Sequence, residues 1–167
     1  MALSIEDRVQ RVAELCLAEG VVITTAESCT GGMIAAAMTD VAGASSWFER
    51  SFVTYTNTAK HEMLGVAEKI FEEHGAVSEE CVSAMLSGAL RHSHASLSVA
   101  VSGIAGPGGA EPGKPVGTVF IGWMRAGEEA VVERFAFKGD RRSVREAAVS
   151  AALDGIIKML SKNTEGK

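Results

Sequence analysis

The pattern of apolar and polar positions along the chain predicts helices that alternate with short strands. Apolar residues three or four positions apart, which is helical spacing, follow the capping residues Ser4, Ser78 and Asp140. Three shorter helices are predicted at residues 33–39, 58–64 and 67–74. Runs of apolar and β-branched residues predict five strands, at residues 21–25, 52–56, 97–101, 116–124 and 129–137.

The order of these elements predicts an α/β fold. Strands and helices alternate in the first part of the chain, which favours parallel strands, and a hairpin around Ala126-Gly127 adds an antiparallel strand. We therefore expect a three-layer α/β/α architecture with a mixed, mostly parallel five-stranded sheet. No repeat or linker interrupts the pattern, so residues 1–167 are expected to form one domain.

Composition narrows the class of protein. Apolar residues make up 47% of the chain and charged residues 22%, which is typical of a globular protein. Sixteen basic and 21 acidic residues give a net charge of −5, which excludes a uniformly basic coat for nucleic acid. No run is long and apolar enough to span a membrane, and the first seven residues have no basic signal-peptide region. We expect no nucleic-acid or membrane partner.

Cysteine and histidine usage predicts neither a disulfide scaffold nor a metal centre. Cys16, Cys29 and Cys81 are widely spaced, and no C-x-x-C pair is present. His92 and His94 would point to different faces of a helix. The sequence therefore predicts a reducing, cytoplasmic setting and no metal or other cofactor.

Polar segments follow several of the predicted strands. In an open α/β sheet, ligands bind beyond the carboxyl ends of the strands, so these segments are expected to meet at one cleft. They lie at residues 26–32, 55–60, 102–109 and 139–142.

The first of these segments carries a candidate nucleophile. Ser28 precedes Gly31 and Gly32, whose flexible backbone lets N–H groups approach a ligand, and the N-terminus of the next helix offers an oxyanion site. Two alternatives stay open at this point. Ser28 or Thr30 could simply cap the helix, and Cys29 is a rival nucleophile because a thiol is intrinsically stronger.

The second segment carries a candidate base. Lys60 can act as a base if burial lowers its pKa, and Tyr55, the one tyrosine of the chain, could relay a proton or orient the lysine. No histidine lies in the segments after the strands, so a Ser-His-Asp triad is the weaker hypothesis. The ordinary alternative is a solvated lysine on a helix and a tyrosine at the water boundary.

Two further features could bind an anion. The glycine-rich loop at residues 102–109 resembles a phosphate-binding loop in its flexibility, although it is not a P-loop. Arg141, Arg142 and Arg145 crowd the start of the last helix, where cations oppose the helix dipole and a bound phosphate would offset them. Acidic partners such as Glu133 or Glu146 could offset these charges instead, and a solvated surface is the alternative for each arginine.

Taken together, the motifs resemble those of the CinA C-terminal domain family (competence/damage-inducible protein). The resemblance spans residues 8–160 and consists of ordered blocks, so it is more specific than any single motif. The blocks are TAESCTGG at 25–32, FVTYTN at 52–57 followed by Lys60, HGAVS at 74–78, GIAGP at 103–107, KPVGT at 114–118 and GDR at 139–141.

The resemblance implies a nicotinamide-nucleotide amidohydrolase, which converts nicotinamide mononucleotide and water to nicotinate mononucleotide and ammonia in pyridine-nucleotide recycling. It implies Ser28 as nucleophile, Lys60 as base and Tyr55 as an assisting hydroxyl, with no metal, in a homo-oligomer for which a dimer is favoured. It also implies a stand-alone form of the domain. The substrate-binding candidates are Glu27, Thr30, Gly31, Gly32, Asn57, Ser102, Gly103, Ala105, Gly106, Arg142 and Arg145.

Two departures from the family pattern keep the chemistry of the side chain. Ser102 and Thr56 stand where the family often has threonine and serine, and a hydroxyl is retained at both positions. Two other classes of function compete with hydrolysis. One is a non-catalytic nucleotide-binding module, and the other is an interaction protein related to competence or DNA damage.

Overall fold

The computed structural model describes residues 2–165, which contain six helices and one five-stranded sheet. The helices are α1 (Ile5–Glu19), α2 (Met33–Thr39), α3 (Asn57–Leu64), α4 (Glu68–Glu73), α5 (Glu79–Arg91) and α6 (Arg141–Glu165). The strands are β1 (Ile23–Glu27), β2 (Phe48–Val53), β3 (Leu97–Gly103), β4 (Thr118–Arg125) and β5 (Val131–Ala136).

The sheet is mixed, as predicted. Its strand order is β2-β1-β3-β4-β5, with β1 parallel to both β2 and β3, and with β4 antiparallel to both β3 and β5. Four strands therefore run in one direction and β4 runs against them. The carboxyl ends of β1, β2, β3 and β5 consequently lie along the same edge of the sheet, which we call the carboxyl edge.

Helices cover both faces of the sheet and complete the predicted three layers. Helices α1, α2 and α6 pack on one face, and α3, α4 and α5 pack on the other. The seat of α6 is unusually close, because a Cβ atom added at Gly155 would lie 2.0 Å from the Trp123 ring. The indole of Trp123 also donates a hydrogen bond to the carbonyl of Ala152 at 2.9 Å.

Side-chain caps begin three helices at the predicted residues. The Ser4 hydroxyl accepts from the Asp7 N–H, in a capping box, and the Ser78 hydroxyl accepts from the Cys81 N–H. The Asp140 carboxylate accepts from the N–H of Ser143, and these hydrogen bonds lower the pKa of Asp140. The first turn of α6 is thereby fixed at the carboxyl edge.

Each of the five strands differs from the sequence prediction at one end or both, by one or two residues except in β2. Strand β1 begins at Ile23 instead of residue 21, because the N–H of Val21 still bonds to the Cys16 carbonyl at the end of α1. Strand β2 spans Phe48–Val53 instead of residues 52–56. It is an edge strand with half-exposed side chains, so its sequence lacks the apolar run of a buried strand. No helix within residues 2–165 is long and apolar enough to cross a bilayer.

Candidate active site

Ser28 and Lys60 form a buried pair at the carboxyl edge. Ser28 directly follows β1, and Lys60 lies in α3 with only 1% of its surface exposed. The Lys60 ammonium nitrogen Nζ lies 3.0 Å from Ser28 Oγ and 3.3 Å from the carbonyl oxygen of Tyr55. The Ser28 hydroxyl in turn donates to the same carbonyl at 3.5 Å. A hydroxyl and an amine in this contact are a nucleophile and a base within proton-transfer distance.

Burial sets the protonation of this lysine. Removing the ammonium from water lowers the pKa of Lys60, and the neighbouring thiols of Cys81 and Cys29 oppose that effect only in part. The groups that accept hydrogen bonds from Nζ are neutral oxygens, which compensate a positive charge poorly. The geometry therefore favours a neutral amine, which is the form that can take a proton from Ser28.

Cys29 is a poor competitor for the role of nucleophile. Its thiol is buried, and burial raises its pKa to about 11 despite the nearby Arg145 guanidinium. Because the thiolate is the reactive form of cysteine, this thiol is inert near neutral pH. Strand β1 ends at Glu27, so the turn, and not the alternation of a strand, separates Cys29 from Ser28.

Glu27 fixes the turn that carries Ser28. Its carboxylate is fully buried and accepts five hydrogen bonds of 2.7–3.3 Å. The donors are the N–H groups of Ile34 and Ala35 and the hydroxyls of Thr25, Thr30 and Ser51. The carboxylate thus occupies the N-terminus of α2, where the sequence predicts an oxyanion site. Those two helix N–H groups are not available to substrate.

Arg145 holds the same turn from α6. Its Nε donates to the Cys29 carbonyl at 2.9 Å, and its Nη2 donates to the Thr30 carbonyl at 3.4 Å. Gly31 and Gly32 adopt φ values of +57° and +97°, a region that glycine occupies without strain. A Cβ at Gly31 would lie 3.3 Å from the Arg145 guanidinium, so the bare backbone permits this approach.

A cleft of about 270 Å³ opens beside the Ser28–Lys60 pair. Segments from five parts of the chain line it. Four of them are the predicted polar segments, and Ala76 and Val77 form the fifth. The lining residues are Ser28, Cys29, Tyr55, Asn57, Lys60, Ala76, Val77, Ser102, Gly103, Ala105 and Arg141. Among the side chains that the structure describes, those of residues 2–162, no group of three or more His, Cys, Asp or Glu is placed to hold a metal ion.

Comparison with known proteins decides the family. The profile of the CinA C-terminal domain matches residues 5–160, which is nearly the whole chain. The chain belongs to the CinA C-terminal domain family. The resemblance inferred from the sequence motifs is therefore confirmed.

Relatives of known name and structure cover most of this family member. The nicotinamide-nucleotide amidohydrolase PncC of Escherichia coli K12 is 47% identical over 155 residues, which are 93% of this chain and 94% of that protein. The protein of the same name from Pseudomonas putida is 53% identical over 137 residues, which are 82% and 85% of the two chains. A crystal structure of competence damage-inducible protein A from Klebsiella pneumoniae superposes with a TM-score of 0.92 at 38% identity, and covers 95% of this chain and 98% of that one.

In this CinA-domain protein the predicted site residues fall into two sets. Seven of them line the cleft, namely Ser28, Tyr55, Asn57, Lys60, Ser102, Gly103 and Ala105. The others lie outside its lining, namely Glu27, Thr30, Gly31, Gly32, Gly106, Arg142 and Arg145. Glu27, Thr30 and Arg145 instead hold the Ser28 turn together, for the reasons given above.

The arginines of the CinA-domain protein separate in the same way. Arg142 lies outside the cleft lining, forms an ion pair with Glu146 at 2.8 Å and exposes 74% of its side chain. Arg141 lines the cleft, whereas the substrate-binding candidates selected from the sequence were its neighbours Arg142 and Arg145, and neither of these lines it. The signal that could have distinguished them is position. Arg141 follows the Asp140 cap directly and is the first residue of α6 at the carboxyl edge.

Tyr55 contributes to the site through both of its ends. Its carbonyl oxygen accepts hydrogen bonds from Ser28 and Lys60, whereas its hydroxyl accepts one from Arg141 Nη2 at 2.7 Å. Its side chain is 58% exposed. The Tyr55 hydroxyl was expected to assist Lys60, but the Tyr55 backbone carbonyl makes the contact with the Ser28–Lys60 pair.

Proposed function

We propose that this chain hydrolyses the carboxamide of nicotinamide mononucleotide to nicotinate mononucleotide and ammonia. The observation that carries the proposal is the 3.0 Å contact between Ser28 Oγ and the buried Lys60 Nζ. The substrate class follows from the PncC relatives at 47–53% identity over most of the chain. We assign Ser28 as nucleophile and Lys60 as general base.

The first half of the reaction forms an acyl-enzyme. Neutral Lys60 takes the proton of the Ser28 hydroxyl while Oγ bonds to the carboxamide carbon, and the carbonyl electron pair moves to oxygen. The tetrahedral intermediate then collapses, its C–N bond breaks, and protonated Lys60 gives its proton to the departing amine, which leaves as ammonia.

The second half releases the acid. Lys60, neutral again, takes a proton from water as the water oxygen attacks the acyl carbon. The bond to Ser28 Oγ breaks, the proton returns from Lys60 to Oγ, and nicotinate mononucleotide departs. The positively charged pyridinium ring of the substrate lies near Lys60 in this scheme and further disfavours its ammonium form.

The oxyanion needs hydrogen-bond donors within the Ser28 turn. The N–H of Gly31 already donates to the Ser28 carbonyl, and two N–H groups of α2 donate to Glu27. We assign the oxyanion to the remaining N–H groups of the turn, those of Cys29, Thr30 and Gly32, of which Cys29 lines the cleft. Loss of one such donor costs about 3–4 kcal/mol of transition-state stabilisation in another serine hydrolase.

We further propose a cytoplasmic, cofactor-independent homo-oligomer, with a dimer favoured. Cys16, Cys29 and Cys81 are all buried and unpaired, which supports a reducing compartment. Light scattering on a size-exclusion column tests the oligomeric state, and a monomer at working concentration would contradict the dimer.

Ammonia release from nicotinamide mononucleotide tests the activity. We expect release by the wild type in the presence of a chelator, and a loss of at least about 1,000-fold in Ser28→Ala. Ser45→Ala, an exposed serine outside the cleft, is the matched control and should keep full activity. Cys29→Ala should retain most activity, because its thiol is inert.

Two outcomes would contradict the assignment. Wild-type rates in Ser28→Ala would exclude this serine as the nucleophile. A folded wild type that is stabilised by the nucleotide but releases no ammonia would favour the non-catalytic nucleotide-binding module instead.

A further inference from the structure

The Arg141 guanidinium is a cation in the cleft without an acidic partner. Its Nη1 donates to the Gly106 carbonyl at 2.9 Å and its Nη2 donates to the Tyr55 hydroxyl at 2.7 Å. Both acceptors are neutral oxygens, and among the side chains of residues 2–162 no carboxylate pairs with this guanidinium. A guanidinium has five N–H donors, so several of them remain for a ligand.

Three other cationic groups near the carboxyl edge are already engaged elsewhere. Arg142 pairs with Glu146, and Arg145, whose Nε and Nη2 donate to the carbonyls of the Ser28 turn, lies outside the cleft lining. Lys114 Nζ donates to the His74 carbonyl. The N-terminus of α2 is filled by the Glu27 carboxylate. Lys138 follows β5 near the same edge but does not line the cleft, so Arg141 is the guanidinium placed to meet an anionic group there.

We propose that Arg141 binds the 5′-phosphate and makes the site selective for the mononucleotide over the phosphate-free nucleoside, an inference that rests on the proposed function. Arginine suits this role because its planar guanidinium can donate two parallel hydrogen bonds to phosphate oxygens. The phosphate also offsets a positive charge that otherwise opposes the dipole of α6.

Tyr55 sets the spacing between the two ends of the substrate. Its carbonyl contacts the Ser28–Lys60 pair and its hydroxyl contacts Arg141, so the length of one tyrosine separates the reacting carbon from the phosphate. A ribose lies between carboxamide-bearing ring and phosphate in the mononucleotide. Tyr55 is accordingly a positioning residue for Arg141.

The test compares two substrates in matched variants. Ammonia release is measured with nicotinamide mononucleotide and with nicotinamide riboside for the wild type, Arg141→Gln and Arg142→Gln. We expect Arg141→Gln to lower kcat/KM for the mononucleotide by about 10- to 100-fold, mainly through KM, because a charged hydrogen-bonded pair is lost. The rate with the riboside should change less than about twofold, and Arg142→Gln should leave both substrates unchanged.

A conservative variant separates charge from structure. Arg141→Lys keeps the charge but not the two parallel donors, so it should recover part of the mononucleotide preference. An equal loss for both substrates in Arg141→Gln would overturn the proposal and indicate a structural role. A phosphate-specific loss in Arg142→Gln would reassign the role to that neighbour.

A binding measurement keeps this test independent of the proposed chemistry. Calorimetric titration of Ser28→Ala with nicotinamide mononucleotide and with the riboside requires no turnover. We expect the phosphate to strengthen binding about 10- to 100-fold, and Arg141→Gln in the same background to remove that gain. Equal affinity for both compounds would overturn the role of Arg141, whereas absent ammonia release by the wild type would contradict only the hydrolase.

Discussion

The two ends of the cleft are built in opposite ways. At the reactive end, Ser28, Lys60 and the supporting Glu27 are buried and surrounded by fixed hydrogen bonds. At the proposed phosphate end, Arg141 and Tyr55 are exposed and contact each other by a single hydrogen bond. The contrast teaches that one site can separate proton transfer, which needs a desolvated amine, from recognition, which needs an accessible charge.

This contrast gives substitutions at the two ends different signatures. A change at the buried end should alter kcat and the stability of the fold together. A change at the exposed end should alter KM and leave the stability almost unchanged. The variants below test that separation.

The largest effect is expected for Lys60→Met, which removes the base and the buried amine together. We expect kcat to fall by about 10,000-fold, while the free energy of unfolding at neutral pH rises by about 1–3 kcal/mol. Steady-state kinetics and denaturant titration measure the two quantities. An active Lys60→Met variant, or one that is less stable than the wild type, would contradict the role of a strained, neutral base.

The sign of the stability change follows from the pKa. Burial lowers the pKa of Lys60 in the folded protein below its value in the unfolded chain, so the unfolded chain binds more protons between the two values. The resulting penalty is complete below the folded pKa and disappears as the pH rises to the unfolded value. The wild type should therefore gain stability over that range, and Lys60→Met should not.

Glu27→Gln should disturb the reactive end without touching substrate. In the wild type, N–H groups and hydroxyls all donate to the Glu27 carboxylate, whereas the glutamine NH2 group would face these donors with a donor of its own. We therefore expect the free energy of unfolding to fall by about 2–3 kcal/mol. Displacement of Ser28 should lower kcat by roughly 100-fold. Glu146→Gln, an exposed carboxylate outside the cleft, is the control and should change stability by less than about 0.5 kcal/mol. Full activity in Glu27→Gln would show that Ser28 does not depend on this carboxylate.

The pH dependence of the rate should report Lys60. Because the neutral amine is the active form, kcat/KM should rise about tenfold per pH unit up to the folded pKa of Lys60 and then level off. The same rise with nicotinamide riboside excludes titration of the substrate phosphate as its cause. A rate that falls between about pH 6 and about pH 8 would contradict a neutral base.

The smallest effect is expected for Tyr55→Phe. The backbone contact with Ser28 and Lys60 is kept and only the hydroxyl contact with Arg141 is lost. We expect KM for the mononucleotide to rise about two- to tenfold, with kcat nearly constant. A large fall in kcat at constant KM would instead favour the proton-relay role of this hydroxyl.

The helices, the sheet and the proximity of Ser28 and Lys60 could be predicted from the sequence, because helix caps, the spacing of apolar residues and polar segments after strands are local signals. The sequence prediction placed β2 about four residues too far along the chain. An edge strand has a neighbouring strand on one side only, and the alternation of apolar and polar residues in β2 is weak. Burial of Lys60 could not be read from its own neighbours, because residues distant in sequence exclude its water. Likewise Glu27 looks like a ligand-facing acid until its helix donors are seen in space.

The close packing of Gly155 against Trp123 couples the two ends of α6. Residues 141 and 155 lie 14 positions apart in α6, which is about 21 Å along the helix. Arg141 therefore lies at the carboxyl edge, while the contact between Gly155 and Trp123 lies toward the opposite edge of the sheet. Any side chain at position 155 would push α6 away from the Trp123 indole. A substitution there would shift both Arg141 and Arg145, and Arg145 holds the Ser28 turn, so a remote packing position can alter substrate affinity and the geometry of the reactive end together.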